Sequence, residues 1–307
     1  MKNWLNWFRE FRALDSTLER HKNFDLFADS ELSRLFVKQG YVVVRTGQKK
    51  LFEKIRAEYD QLSKELDAEI KDKGFINTSE LPVGEVKRQQ EQLIGNYADK
   101  LFENVFKPNS VDIQPEVFFV KPPKSSSEVA IHQDAVIVDE RKKASFHCWI
   151  PLQKSDVDNG GLQVIPGSHK LTNPHRAFSV PWEFSKYTQV LADYLMPVSM
   201  ELGDILIYDR AVIHYSPPNL SEDWRVAMAY TVAERPLQFL HLLLNKEANE
   251  VEFYEVRSDF LLNEDPFSKP ANAKLVKKEK LHQVKYTERQ FRWLCQKAIR
   301  ITRASSY

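Results

Sequence analysis

The sequence predicts a mainly β protein with flanking helices, its core a sandwich or jelly roll. Three observations carry that expectation. From about residue 111, short β-rich runs follow one another: PEVFFVK, AIHQDAVIV, ASFHCWIPL, GLQVIPG, VSMELGDILIYD and RVAMAYTVAE. Turns rich in Pro, Gly, Asn and Asp, such as KPPKSSS, DVDNGG and SPPNLSED, separate them, which is the punctuation of packed antiparallel sheets. On either side the texture is helical or mixed. The 307 residues are read as one domain, with a mostly helical part over 1–110, a jelly-roll core over 111–236 and a mixed, helical extension over 237–307.

Taken in order, Trp4, Trp7, Phe8, Phe11 and Leu14 recur at helical spacing and give one apolar face. That face suits packing on the domain or on a second copy, which makes it a candidate homodimer surface; aromatic residues facing Lys and Arg also suit a membrane surface. DSELSRLFVKQG reads as a capped helix ending at Gly40, followed by the strand YVVVR. LFEKIRAEYDQLSKELDAEIKDKG is a long charged helix expected to stop at Gly74, and VKRQQEQLIGNYADKLFENVF is a second one, interrupted by Gly95. YTERQFRWLCQKAIRI closes the chain as a terminal helix, and KLVKKEK reads as a solvated face.

Composition narrows the classes. Hydrophobic residues make up 42% and charged residues 28%, enough for a sizeable core. The 44 basic and 43 acidic side chains leave a net charge of +1, which gives no field for nucleic acid or an anionic membrane. Cys148 and Cys295 cannot form a disulfide framework, so a reduced compartment is the easier home. No window approaches the roughly 18 apolar residues of a transmembrane span. The N-terminus lacks the apolar run and cleavage site of a secretory signal, so the expected location is cytoplasmic.

The chemistry-bearing residues are His132 and Asp134 in IHQDAV, His214 in AVIHYSPPN, and Arg225 eleven residues further on. In a strand running through 130–138, His132 and Asp134 project from one face and Gln133 from the other. Two imidazoles and a carboxylate suit ferrous iron, with positions left open for chemistry. On the last core strand Arg225, Ala227, Ala229 and Thr231 share a face, leaving room for a small ligand beneath the guanidinium. An arginine fork matches a carboxylate. The plainer alternative is a surface arginine paired with Glu222 or Asp223. His147 shares a face with Trp149, as a substrate contact or a satisfied core histidine, while Cys148 points into the core among Phe146 and Ile150. Ser168-His169 lacks the elbow of a serine hydrolase, and His21, His175, His241 and His282 lack ligand spacing.

The run HQDAVIV…CWIPL…DNGGLQVIPGSHK…GDILIYDRAVIHYSPPN…WRVAMAYTV, over roughly residues 115–235, resembles the phytanoyl-CoA dioxygenase family of Fe(II)- and 2-oxoglutarate-dependent oxygenases. The resemblance implies a double-stranded β-helix (cupin-like) core with His132, Asp134 and His214 as iron ligands. It also implies that Arg225 and Ser216 meet the C5 carboxylate of 2-oxoglutarate, that Trp149 lines its pocket, and that Lys87 helps to hold it. Tyr215 and the prolines of HYSPPN depart from the family's small, glycine-rich pattern. The regions outside the match would form the substrate lid.

On that footing the expected activity is a dioxygenase that consumes 2-oxoglutarate and O2 and hydroxylates an unactivated C–H bond of a small-molecule metabolite, releasing succinate and CO2. Related halogenases replace the carboxylate ligand by a small residue, so Asp134 argues for hydroxylation over halogenation. Desaturation or ring closure at the same iron stays open, as does a non-catalytic metal-binding jelly roll.

Overall fold

The computed structural model describes residues 25–65, 73–81, 84–171, 173–281, 283 and 285–303. The aromatic face from Trp4 to Leu14, together with His21 and His282, lies outside them.

The first helix, α1 (Ser30–Gln39), begins where the Asp29 side chain accepts the Glu31 amide and ends at Gly40, whose φ of 83° turns the chain left-handed. Gly40 has a second reason to be glycine, because a Cβ there would run into the His169 ring and Val212. The chain then enters β1 (Tyr41–Arg45), as its β-branched run predicts. Helix α2 (Lys49–Leu62) tightens into a 3-10 turn over Ser63–Glu65; residues 66–72 of the expected helix lie outside the described residues, and Lys73, just before Gly74, is helical. Ser63 Oγ bonds back to the Asp60 carbonyl at 3.3 Å, a local bond that competes with helix propagation.

Helix α3 (Glu85–Leu101) runs through Gly95 without interruption, contrary to the sequence expectation. Glycine costs about 1 kcal/mol in a helix interior, but Leu93, Ile94, Tyr97 and Leu101 around it are buried in the main core. Packing of that face outweighs the local propensity.

The core is β, in two facing antiparallel sheets. Strands β2 (Ile76–Asn77), β3 (Val111–Lys121), β5 (Ser145–Pro151), β8 (Asp204–Asp209) and β10 (Arg225–Glu234) join β1 in the order β1-β8-β5-β10-β3-β2. Strands β4 (Val129–His132), β6 (Gln163–Val164), β7 (Met196–Pro197) and β9 (His214–Ser216) form the second sheet, in the order β4-β9-β6-β7. The phasing predicted for β10 is realised. Val226, Met228, Tyr230 and Val232 enter the main core with Phe36, Phe52, Ile55 and Ile94 of the helices, and Ala227 turns inward with Trp149, Leu206 and Val164. Both faces of the large sheet are therefore covered, which is why its central strands are buried nearly throughout.

Beyond residue 237 the texture is more β than the sequence suggested. A third sheet, β11 (Leu240–Asn245), β12 (Glu250–Glu255) and β13 (Lys274–Lys280), carries the short helix α5 (Phe260–Asn263) between its last two strands; α4 (Thr188–Ala192) lies earlier, and the predicted terminal helix is α6 (Glu288–Arg303). KLVKKEK is the edge strand β13, and its Lys277 lies 4.2 Å from the centre of the Phe253 ring while pairing with Asp139 and Glu279. Among the described residues no helix is long and apolar enough to cross a membrane.

Candidate metal centre

The predicted triplet converges. The candidate ligand atoms of His132, Asp134 and His214 all lie within 4.8 Å of one another. Pairing of β4 with β9 puts His132 opposite His214, with ring centroids 4.1 Å apart. Asp134 arrives differently from the prediction: β4 ends at His132, and Asp134 lies in the loop beyond it. The strand stops because Gln133 is anchored by its side chain, which donates to the carbonyls of Leu171 and Ala211 and accepts from Trp182. The Asp134 backbone is held on both sides, its N–H by the Arg210 carbonyl at 2.9 Å and its own carbonyl by Arg176 Nε at 3.0 Å. Arg176 is in turn paired with buried Glu140 at 2.8 Å.

Both histidines are set to ligate through Nε2. His132 Nδ1 lies 2.7 Å from the Ala130 carbonyl and His214 Nδ1 lies 3.0 Å from that of Val212. A carbonyl only accepts, so each Nδ1 carries the hydrogen and each Nε2 is the nitrogen available to a metal, with the Tyr208 hydroxyl 3.4 Å from that of His214. Those Nε2 atoms sit 3.6 Å (His132) and 3.7 Å (His214) from Asp134 Oδ1. Donors about 2.1 Å from one ion can be at most about 4.2 Å apart, so both pairs can share an ion. Burial, with His132 alongside, pushes the His214 imidazole down to about 3 and keeps it neutral. Burial alone would raise the Asp134 carboxyl, but His214, His132 and His147 outweigh it and hold it well below the usual carboxylate range. His132 goes the other way: burial lowers its pKa, but Asp134 raises it overall, so a divalent ion, which requires neutral imidazoles beside an ionised carboxylate, must displace that proton.

Arg225 is not at the surface. Only 2% of it is exposed, Nη1 donates to the Phe119 carbonyl at 3.1 Å, and Nε is buried without a partner. The guanidinium lies 5.6 Å from the centre of the Trp149 ring, and burial pulls its pKa down to about 9. Among the described residues no carboxylate forms an ion pair with it, and Glu222 pairs with Lys124 instead. Arg225, Trp149 and Ser216 line the same cavity of about 890 Å³ as the triplet. Ser216 donates to the Gly160 carbonyl at 2.8 Å and keeps its lone pairs. Lys87 is not brought to this cavity: its ammonium donates to the Ser79 carbonyl at 2.9 Å.

Lys121 was missed in the sequence. It sits directly across from Arg225 in the β3–β10 register and is fully buried. Its ammonium donates to the carbonyls of Ser216 and Pro217. Burial and then Arg225 lower it to about 7, against a smaller opposing pull from Glu128. Between pH 7 and about 10.5 the unfolded chain therefore holds a proton that the folded chain has shed, so this group adds stability as pH rises through that window. Thermal melts at pH 6.5 and pH 9 should show the wild type gaining more on the alkaline side than Lys121→Met; parallel shifts would remove the assignment.

The rest of the cavity is mostly apolar, with Val136, Phe178, Val180, Trp182, Leu240 and Phe267 in its walls. Phe178 and Phe267 meet edge to face at 6.3 Å, and both are exposed. The floor beside Asp134 carries a polar network that sequence reasoning found only in part. His147 Nδ1 lies 3.1 Å from Asp134 Oδ2, its Nε2 lies 3.3 Å from Glu116 Oε2, and Glu116 is held by Arg210 and Thr231. Ser168 and His169 are structural, the hydroxyl accepting the Ile213 amide and the ring reaching the Val37 carbonyl.

The sequence model of the phytanoyl-CoA dioxygenase family matches residues 36–227. A phytanoyl-CoA dioxygenase domain-containing protein 1 homolog from Dictyostelium discoideum is 28% identical over 124 residues, 38% of this chain and 43% of that protein. The peroxisomal phytanoyl-CoA dioxygenase of Bos taurus is 30% identical over 132 residues, 39% of each. The aligned stretch thus spans about two fifths of these curated relatives' length. Among solved structures, HygX from Streptomyces hygroscopicus, crystallised with nickel, 2-oxoglutarate and hygromycin B, has a TM-score of 0.47 at 16% identity, covering 68% of this chain and 88% of that one.

Proposed function

The chain belongs to the phytanoyl-CoA dioxygenase family, and from that premise we propose that it is an iron(II)- and 2-oxoglutarate-dependent oxygenase that hydroxylates an unactivated C–H bond of a small-molecule metabolite. The observation that carries this reading is a pairing within one cavity: a two-histidine, one-carboxylate cluster together with a buried guanidinium that, among the described residues, has no carboxylate partner. A metal alone does not explain Arg225. A dicarboxylate that reaches from the metal to the guanidinium explains both.

His132 and His214 through Nε2, and Asp134 through its carboxylate, would hold the iron. Bound there with 2-oxoglutarate and O2, iron supplies the oxidising power for C–H cleavage, and succinate and CO2 are released. The chain's own residues do the positioning. Arg225 would offer two parallel donors to the far carboxylate of the cosubstrate, whose burial is costly without a partner. Trp149 flanks the guanidinium, and Ser216, in the wall of the same cavity, would offer its hydroxyl oxygen to the cosubstrate. The apolar upper wall suits a substrate with a substantial apolar body and keeps water from the reacting carbon.

Anaerobic addition of iron(II) and 2-oxoglutarate should produce a visible absorption band that His132→Ala lacks. Folded wild type with no band would sink the reading. Succinate release across panels of candidate metabolites then finds the substrate. Product mass separates hydroxylation, a gain of one oxygen, from desaturation or ring closure, a loss of two hydrogens.

A further inference from the structure

We propose that His147 is the positioning residue that fixes how Asp134 presents its carboxylate, tying up Oδ2 so that Oδ1 alone faces the metal. This rests on the iron-site reading above and adds a role that the donor triplet itself does not contain. Asp134 Oδ1 is the oxygen that faces both histidines, at 3.6 and 3.7 Å from their Nε2 atoms. Oδ2 points the other way, onto His147 Nδ1 at 3.1 Å. An ionised carboxylate only accepts, so the hydrogen lies on Nδ1 and the bond has a fixed direction.

The His147 ring is itself held in place. It is buried, stacked on Tyr208 at 5.2 Å with 17° between the planes, and 6.0 Å from Phe119 on its far side. Its Nε2 abuts Glu116, which Arg210 and Thr231 hold. Asp134 stands in a loop, and its own strand does not constrain its side-chain rotation. Orientation must come from outside, and His147 on the rigid central strand β5 is placed to give it.

The consequence is a matter of coordination number. A carboxylate can bind an ion through one oxygen or through both. With Oδ2 engaged, Asp134 takes a single position and leaves the others open to cosubstrate and oxygen. Strand β5 then supports both halves of the site, His147 behind the carboxylate ligand and Trp149 beneath Arg225.

The test uses cobalt(II) as the probe on the full chain, read by calorimetric affinity and by the visible cobalt spectrum. Loss of an outer-shell partner typically weakens metal binding by about 10- to 100-fold, and that range is expected for His147→Leu, with a spectrum altered towards higher coordination. His147→Asn places an amide N–H near the Nδ1 position and should keep most of the affinity, whereas His147→Gln places it near Nε2 and should lose it. The Asn and Gln pair carries the test even if the Leu variant fails to fold. Equal affinities and unchanged spectra across wild type, Asn and Gln overturn the proposal while leaving the iron site standing. Wild type that takes up no cobalt overturns the iron site, and this role with it.

Discussion

Replacing Arg225 with leucine should raise the KM for 2-oxoglutarate by roughly thirtyfold to a few thousandfold, without destabilising the protein in the absence of ligand. Truncating one partner of a buried, hydrogen-bonded charge pair costs about 2–5 kcal/mol, and each 1.4 kcal/mol is about tenfold in affinity. The expected lack of a folding penalty follows from the ligand-free geometry. The guanidinium is buried, its Nε has no partner among the described residues, and burial has already lowered its pKa to about 9. A buried charge replaced by an apolar side chain of similar bulk is often neutral or stabilising. Thermal melts with and without 2-oxoglutarate, in the presence of manganese(II), separate the two effects. Wild type should melt higher with the cosubstrate; Arg225→Leu should melt at least as high as wild type alone and gain nothing on addition. Arg225→Lys keeps the charge without the planar fork and should fall between them. A leucine variant that melts much lower, yet binds 2-oxoglutarate normally, would return Arg225 to a structural role.

Arg225 was legible because a strand has a period of two. Once RVAMAYTV is a strand with Val226, Met228 and Tyr230 in the core, Arg225 and Ala227 must face the other sheet, and the structure agrees. The triplet was legible by residue type, although half of its geometric reasoning was not. His132 and His214 meet through strand pairing, but Asp134 reaches the site from a loop whose course is set by long-range bonds to Arg210 and Arg176. No local pattern encodes such bonds. Gly95 misled for the same reason, since the tertiary packing of α3 overrides a local propensity. The third sheet was hidden because β13 reads as a run of lysines, and an edge strand tolerates such charge. His147 on β5, Glu116 on β3 and Arg210 in the turn just past β8 become neighbours only when the sheet order is known, as do Lys121 of β3 and Arg225 of β10.

Asp134→Ala should abolish turnover and weaken divalent-metal binding by more than the roughly 100-fold that marks the upper end for losing an outer-shell partner. The loss of a charged ligand removes both a bond to the ion and the negative charge that offsets it. The fold should survive, because the contacts that place this loop are made by the Asp134 backbone and by Gln133, not by the carboxylate. Removing the carboxylate also leaves His132 and His214, 4.1 Å apart between ring centroids, without the anion between them. Metal binding to the wild type should strengthen with pH, because an ion competes with the proton that Asp134 favours on His132, whose pKa burial lowers but Asp134 raises overall. In Asp134→Ala that pH dependence should flatten along with the affinity. Added formate offers a carboxylate small enough for the vacated space, and partial recovery of cobalt(II) binding with formate would identify the lost group as a ligand. An alanine variant that binds cobalt(II) like wild type would show that Asp134 is not a ligand, and the assignment of this centre as an oxygenase site would fall with it.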